Sequence, residues 1–266
     1  MPSFGEVGLD VDAMIDALAE RPGETAILVD YDGSLAPIVD RPADAVAFPS
    51  AIDVLRRLVG RFGRVGIVSG RPIEFLAART DIPGLVMAGL YGMETLVDGE
   101  RRVDPRVVPY GDAVAAAADA ADAELPGVIV ERKSGVSVTL HWRTAPDRAV
   151  AVAEVAADLA RRYGLAELLT RFAIELRPPV AIDKGNAVDA LIEGYSVAAF
   201  AGDDTGDLPA FAALGRAEAD GRLARAVRIG VESSEMPATL LDAVDGLVNG
   251  PAGLVALLDA VARRVG

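Results

Sequence analysis

The 266-residue chain has no cysteine, one histidine and one tryptophan, and its only lysines are Lys133 and Lys184. Without cysteine there is no disulfide framework, no thiolate nucleophile and no cysteine-ligated zinc or iron–sulfur site. A lone histidine, His141, excludes a histidine-rich metal site and leaves a Ser-His-Asp triad without support. Positive charge is also scarce: 26 Lys and Arg stand against 40 Asp and Glu, a net charge of −14. Such a surface repels nucleic acid and anionic membranes unless its cations are concentrated in one place. No apolar stretch approaches the roughly 18–20 residues of a bilayer crossing. Met1-Pro2-Ser3-Phe4-Gly5-Glu6 lacks the basic-then-apolar pattern of a secretory leader. A soluble, cytoplasmic protein is expected, with neither nucleic acid nor membrane as partner. Nothing in the sequence indicates an oligomeric state.

What is present is a chain 52% hydrophobic, enough for a sizeable core. Apart from the two lysines, every basic residue is arginine. Base composition accounts for that bias, yet it draws attention to the lysines. A site that needs a compact ammonium cannot use a planar guanidinium instead.

Short apolar runs alternate with helical periodicity. Ala26–Val29, Val65–Val68 and Leu85–Ala88 read as buried parallel strands. Helices are expected from Ser50, taken as an N-cap, to Leu58, and over Pro72–Arg79. From residue 107 to 179 the texture changes to an Ala-rich helix and strands near 127–131 and 136–140. A helix over about 147–163 and a strand at 172–176 complete this segment. Alternation then resumes, with a helix from Lys184, a strand at Val197–Ala201, a helix from Asp207, a strand near Val227–Ile229 and a helix from Pro251. The fold class is α/β: a doubly wound, Rossmann-like parallel-sheet core (1–106 and 180–266) interrupted by an inserted α+β domain (107–179). Ligands of such sheets bind beyond the carboxyl ends of the strands, so the residues there are the candidates.

The first strand runs into Asp30-Tyr31-Asp32-Gly33-Ser34. It reads either as an acidic turn or as two carboxylates converging on one point. An EF-hand fits poorly, because a strand precedes it and the twelfth loop position is Arg41. The second strand ends in Ser69-Gly70-Arg71, a hydroxyl and small-residue turn that taken alone reads as a helix cap. Asp183-Lys184-Gly185-Asn186 places a lysine in a helix's first turn, where helix amides and an ammonium can face one anion. Gly202-Asp203-Asp204-Thr205-Gly206-Asp207 is either a solvated loop or a hard-cation site.

In this order, the four segments resemble the four motifs of the haloacid dehalogenase (HAD) superfamily. Within it the chain is similar to the trehalose-6-phosphate phosphatases. The likeness runs through Asp30 to Val39, Ser69-Gly70-Arg71 and Gly89-Leu90-Tyr91-Gly92-Met93-Glu94. It continues in Val130-Glu131-Arg132-Lys133, Leu140-His141-Trp142-Arg143 and Glu175-Leu176-Arg177-Pro178. The chain departs from the family's fourth motif, where a threonine and two later acids are replaced by Gly206, Leu208 and Pro209.

The resemblance implies a magnesium-dependent phosphatase of trehalose biosynthesis, acting on a small-molecule sugar phosphate. It implies Asp30 as nucleophile, forming an aspartyl-phosphate, and Asp32 as general acid and then base. Asp32 must then begin protonated, which a crowded acidic site can arrange. Ser69 would bind phosphoryl oxygens and Lys184 would offset shared negative charge. Asp203 would hold Mg²⁺ with the Asp30 side chain and the Asp32 carbonyl, with Asp204 and Asp207 as auxiliaries. Arg71, Glu94, Glu131, Lys133, His141, Arg143 and Glu175 match positions that would contact substrate, while Trp142, of opposite strand parity, would pack the insert's helices. Other sugar phosphates such as sucrose phosphate stay open as substrates. A silent sugar-phosphate binder is disfavoured because a binder needs no nucleophile. A phosphoacceptor signalling domain is disfavoured because it needs neither the insert nor a second acid.

Overall fold

A computed structural model gives the fold and describes residues 11–170, 172–233 and 236–266. The opening residues read above for a leader, Met1 to Glu6, lie outside the described residues. The chain divides into two compact units. The first comprises the residues to Ile38, Ala45–Arg101 and Ile182–Gly266; the second comprises Val39–Asp44 and Arg102–Ala181. The second thus begins earlier than residue 107 and takes in a short piece of the loop after the first strand.

Strands β1 (Thr25–Val29), β2 (Arg64–Val68), β3 (Val86–Gly89), β4 (Glu94–Val97) and β5 (Glu100–Val103) come first in the chain. Four more, β6 (Ile129–Lys133), β7 (Ser137–His141), β8 (Ala166–Thr170) and β9 (Ala173–Arg177), belong to the second unit. Strands β10 (Val197–Gly202), β11 (Arg225–Val231) and β12 (Gly246–Val248) complete the set. The helices are α1 (Val11–Ala19), α2 (Pro49–Val59), α3 (Ile73–Thr80), α4 (Gly111–Glu124), α5 (Ala149–Tyr163), α6 (Lys184–Leu191), α7 (Leu208–Ala219) and α8 (Gly250–Arg264).

The large sheet runs β12-β11-β10-β1-β2-β3-β4-β5. Its members from β12 to β3 are parallel, and β4 pairs antiparallel with β3. All five residues of β1 are buried, as a strand covered on both faces requires. Ala26, Leu28, Ala198 and Phe200 face Val188, Leu191, Phe211 and Leu214 of α6 and α7. The intervening residues, Ile27 and Val29, point to the opposite face, where α8 packs with α1 and α2. Strand β1 lies between β10 and β2, so the connections diverge there and open a crevice at its carboxyl end.

Three local expectations are corrected. Helix α2 starts at Pro49, not behind a Ser50 cap, because proline is preset for the first helical turn and needs no side-chain bond there. The hairpin β4–β5 and helix α1 are additional to the alternation read from the sequence. In the second unit β8 is an added edge strand whose Leu169 is exposed, so it lacks the buried face that periodicity detects. No helix among the described residues is long and apolar enough to cross a membrane.

Candidate active site

The hydrophobic run of β1 ends at Asp30, whose backbone N–H donates to the Ala201 carbonyl of β10 at 2.8 Å. That bond brings the carboxyl ends of the two central strands together, and with them Asp30 and Asp203, both buried. Gly33 allows the approach in two ways. Its φ of +79° suits glycine, and a Cβ at this position would overlap the Asp203 carboxylate.

Lys184 opens α6 and is buried there. Its helix start is fixed by a reciprocal cap: Asp183 accepts from the Asn186 N–H, and the Asn186 side chain accepts from the Asp183 N–H, both at 3.0 Å. Gly185 permits α6 to lie against α7, since a Cβ there would come within 2.6 Å of the Pro209 carbonyl. The Lys184 ammonium sits 2.8 Å from Asp30 Oδ1 and 2.6 Å from Asp207 Oδ1. The other Asp207 oxygen accepts from the backbone N–H groups of Asp203 at 2.8 Å and Asp204 at 3.1 Å. Both Asp207 oxygens are therefore engaged in holding the lysine and the Asp203 loop. Although three neighbouring positions depart from the family motif, this pin is intact. Asp204 is exposed and caps Gly206 at 2.8 Å.

Carboxylate oxygens of Asp30, Asp203 and Asp207 lie within 4.8 Å of one another. Asp203 Oδ1 is buried without a hydrogen-bond partner. A buried acceptor left unsatisfied beside other carboxylates is the arrangement a hard divalent cation completes, and an all-oxygen donor set suits Mg²⁺. Burial raises Asp203 to about 8, reinforced by the charge of Asp207. Burial also pushes Asp30 well above the usual carboxylate range, against the opposing pull of Lys184. For Lys184 burial works against the charge, but Asp207 and Asp30 outweigh it and hold the ammonium firmly protonated.

Arg71 grips the Asp32 carboxylate through two bonds, Nε to Oδ2 at 2.7 Å and Nη2 to Oδ1 at 2.8 Å. Burial and the neighbouring carboxylates act together on Asp30 and Asp203. Arg71 is held from another side by the Phe75 ring, 4.4 Å from the guanidinium carbon. The Ser69 hydroxyl accepts from the Arg71 N–H at 3.2 Å, so its own proton remains to be directed elsewhere. Glu94, matched above to a substrate position, has no exposed surface. One of its oxygens accepts from the Ile73 N–H at 2.6 Å, the other from Arg101 at 2.5 Å, so it anchors the start of α3.

In the second unit, Glu131, Thr139 and Glu175 share one row of a sheet ordered β6-β7-β9-β8, with Lys133 and His141 on the same face. Lys133 donates to Glu175 at 2.8 Å, and His141 Nε2 lies 2.8 Å from Glu131. Glu175 Oε1 and Ser137 Oγ are buried without partners. The opposite face, with Val138, Leu140, Ile174 and Leu176, packs on α4 and α5, and Trp142 joins that cluster as its parity requires. Arg143 stacks on Phe172 at 4.5 Å. The family resemblance named these residues and strand parity set Trp142 apart from them; the pairings along the face depend on register, which single residues do not reveal.

A sheet with buried carboxylates at its central strand ends, and a lysine on the helix leading to β10, has the haloacid dehalogenase-like fold. A haloacid dehalogenase-like hydrolase from Bacteroides thetaiotaomicron superposes with a TM-score of 0.65 at 16% identity, over 88% of this chain and 98% of that one. The chain belongs to the trehalose-phosphatase family, whose model matches residues 28–242. A trehalose-phosphate phosphatase of Mycobacterium marinum is 33% identical over 217 residues, 76% of this chain and 55% of that protein. A Mycobacterium tuberculosis protein named as an uncharacterized glycosyl hydrolase is 34% identical over 204 residues, 71% of this chain and 15% of that protein. The chain therefore spans at most about half the length of these relatives. The C-terminal domain of the C. albicans trehalose-6-phosphate phosphatase superposes with a TM-score of 0.78 at 21% identity, over 98% of this chain and 99% of that one.

Proposed function

We propose that this chain hydrolyses trehalose 6-phosphate to trehalose and phosphate, with Asp30 as the attacking group. The observation that carries this reading is the buried ammonium of Lys184, shared between Asp30 and Asp207 beside the unsatisfied oxygen of Asp203. A binding protein gains nothing from a desolvated carboxylate in this position, whereas phosphoryl transfer needs one held in line with phosphorus.

Asp30 attacks phosphorus while the bond to the sugar oxygen breaks, and Asp32 delivers a proton to that departing oxygen. To do so Asp32 exchanges its resting partner, Arg71, for the substrate. The aspartyl-phosphate on Asp30 is then attacked by water, whose proton passes to Asp32, and inorganic phosphate leaves. Lys184 offsets the charge that Asp30 and the phosphoryl group share. Ser69 directs its hydroxyl to a phosphoryl oxygen. Asp30, Asp203 and the Asp32 carbonyl would hold Mg²⁺, which supplies charge neutralisation at the phosphoryl group. Asp207 acts through Lys184 and the Asp203 loop, and its carboxylate also lies in the cluster that could hold the ion.

The polar sheet face of the second unit supports a hydroxyl-rich substrate. Lys133, Glu175, Glu131, His141 and Thr139 offer donors and acceptors that a sugar can complete, and an analogue lacking a hydroxyl leaves one of them unpaired. The test is release of trehalose and phosphate from trehalose 6-phosphate by the wild type and by Asp30→Asn. Turnover by the wild type and none by the variant is expected. A variant that still turns over removes Asp30 from the mechanism.

A further inference from the structure

The segment Gly89–Glu94 joins β3 to β4 through a backbone path that side chains disfavour. Leu90 and Tyr91 both have left-handed conformations, with φ of +51° and +61°, and Gly92 follows at +104°. Only Gly92 is of a type that adopts this region freely. Strain at two successive non-glycine residues persists only where the surroundings impose it, and such places cluster at functional sites.

What surrounds the segment is the Ser69-Gly70-Arg71 loop. The Tyr91 N–H donates to the Ser69 carbonyl at 2.9 Å, and the Leu90 N–H donates to the Arg71 carbonyl at 3.0 Å. Between those two bonds the Tyr91 ring lies on Gly70. A Cβ added to Gly70 would come within 2.7 Å of Tyr91 Cζ and 2.8 Å of its hydroxyl oxygen. Gly89 is equally tight, since a Cβ there would come within 2.9 Å of the Arg71 carbonyl and the Ile73 N–H. On its other side the segment abuts α6, where a Gly92 Cβ would come within 3.1 Å of Ala187 Cβ. Gly89–Glu94 is thus wedged between the loop that carries Ser69 and the helix that carries Lys184.

We propose that Tyr91 is a positioning residue for the phosphoryl-binding loop. Its ring presses on Gly70 while the flanking backbone bonds fix Ser69 and Arg71. That orients the Ser69 hydroxyl and, through Arg71, the Asp32 carboxylate. Leu90 is buried and supplies the anchor; Tyr91 is only partly buried and supplies the contact. The inference rests on the functional reading above for the role of Ser69 and Asp32, but not on the identity of the sugar.

The test measures kcat/KM for p-nitrophenyl phosphate and competitive inhibition by inorganic phosphate. It compares the wild type with Tyr91→Phe, Tyr91→Gly, Gly70→Ala and the Gly70→Ala/Tyr91→Gly double variant. Tyr91→Gly keeps the left-handed backbone and removes only the ring. Loss of about tenfold or more in kcat/KM is expected, in line with the cost of sub-ångström to ångström misplacement, together with weaker phosphate inhibition. Gly70→Ala forces the ring away and produces the same loss. The double variant loses no more than the worse single one, because both act at one contact. Tyr91→Phe retains the ring and recovers most of the activity. If Tyr91→Gly lacks a cooperative unfolding transition, Gly70→Ala carries the same reading, since its backbone is not left-handed.

Unchanged kcat/KM and phosphate inhibition in Tyr91→Gly or Gly70→Ala overturns the proposal, as do losses that multiply in the double variant. Wild-type turnover of p-nitrophenyl phosphate without turnover of trehalose 6-phosphate defeats the substrate reading alone. The positioning test then still returns its answer. No hydrolysis of either ester removes both.

Discussion

Replacing Asp203 by asparagine should stabilise the metal-free protein while destroying its response to magnesium. Asp203 is buried, one of its oxygens is unsatisfied, and burial beside Asp207 raises it to about 8 from an ordinary 3.8. A carboxyl raised in the folded state keeps a proton that the unfolded chain releases. Its contribution is therefore fully present below about pH 4 and is lost as pH rises toward 8. Taken alone, the shift removes about 4 kcal/mol by pH 7, at 1.36 kcal/mol for each pH unit above the unfolded value. Asparagine has no such ionisation, though its amide must still be buried, so a net gain of about 2–4 kcal/mol over wild type is expected in EDTA at pH 7. The advantage should shrink toward pH 5. Urea unfolding in EDTA at pH 5, 7 and 8, repeated across a magnesium series, reads both effects. Wild type should gain stability from magnesium, more at pH 8 than at pH 5, because the ion displaces a proton; Asp203→Asn should gain little. A variant less stable than wild type at pH 7, or one with an undiminished magnesium response, would refute the reasoning.

Three further outcomes follow from the same geometry. Gly33→Ala places a side chain at φ +79° and against the Asp203 carboxylate. It should cost about 1–2 kcal/mol for the backbone alone, and calorimetric titration should show magnesium affinity falling with it. Lys133→Ala leaves Glu175 buried and uncompensated. A loss of about 3–5 kcal/mol is expected, seen as a lower unfolding midpoint. Its kcat/KM should fall more for trehalose 6-phosphate than for p-nitrophenyl phosphate; equal losses would count against sugar reading. Lys133→Met with Glu175→Leu should recover the stability without recovering the sugar phosphate. Arg71→Lys keeps the charge but not the two-bond grip on Asp32 or the stacking on Phe75. Steady-state kinetics should show a drop in kcat/KM despite an unchanged net charge.

Much of the core and its acidic site was legible because buried parallel strands are short apolar runs that end abruptly. Ala26–Val29 before Asp30, and Val197–Ala201 before Gly202-Asp203, show both the strand and the residue it delivers. Lys184 stood out through composition, being one of two lysines, and through its place in a first helical turn. What stayed hidden depends on partners distant in sequence. Asp207 resembles its acidic neighbours, yet its two oxygens hold Lys184 and the Asp203 loop. Glu94 carries the motif of a substrate contact, and its bonds to Ile73 and Arg101 are with residues that the motif does not name. Arg71 could be placed at the site, but not on Asp32, 39 residues earlier. The left-handed Leu90-Tyr91 pair contradicts local preference, so no reading of propensity could anticipate it.

The most direct test of the central claim compares kcat/KM for trehalose 6-phosphate with those for sucrose phosphate and glucose 6-phosphate, with magnesium and with EDTA. The account predicts magnesium-dependent hydrolysis with trehalose 6-phosphate preferred by about 100-fold or more, as expected where missing hydroxyls leave buried groups unpaired. Equal turnover of all three esters, or undiminished turnover in EDTA, would contradict it.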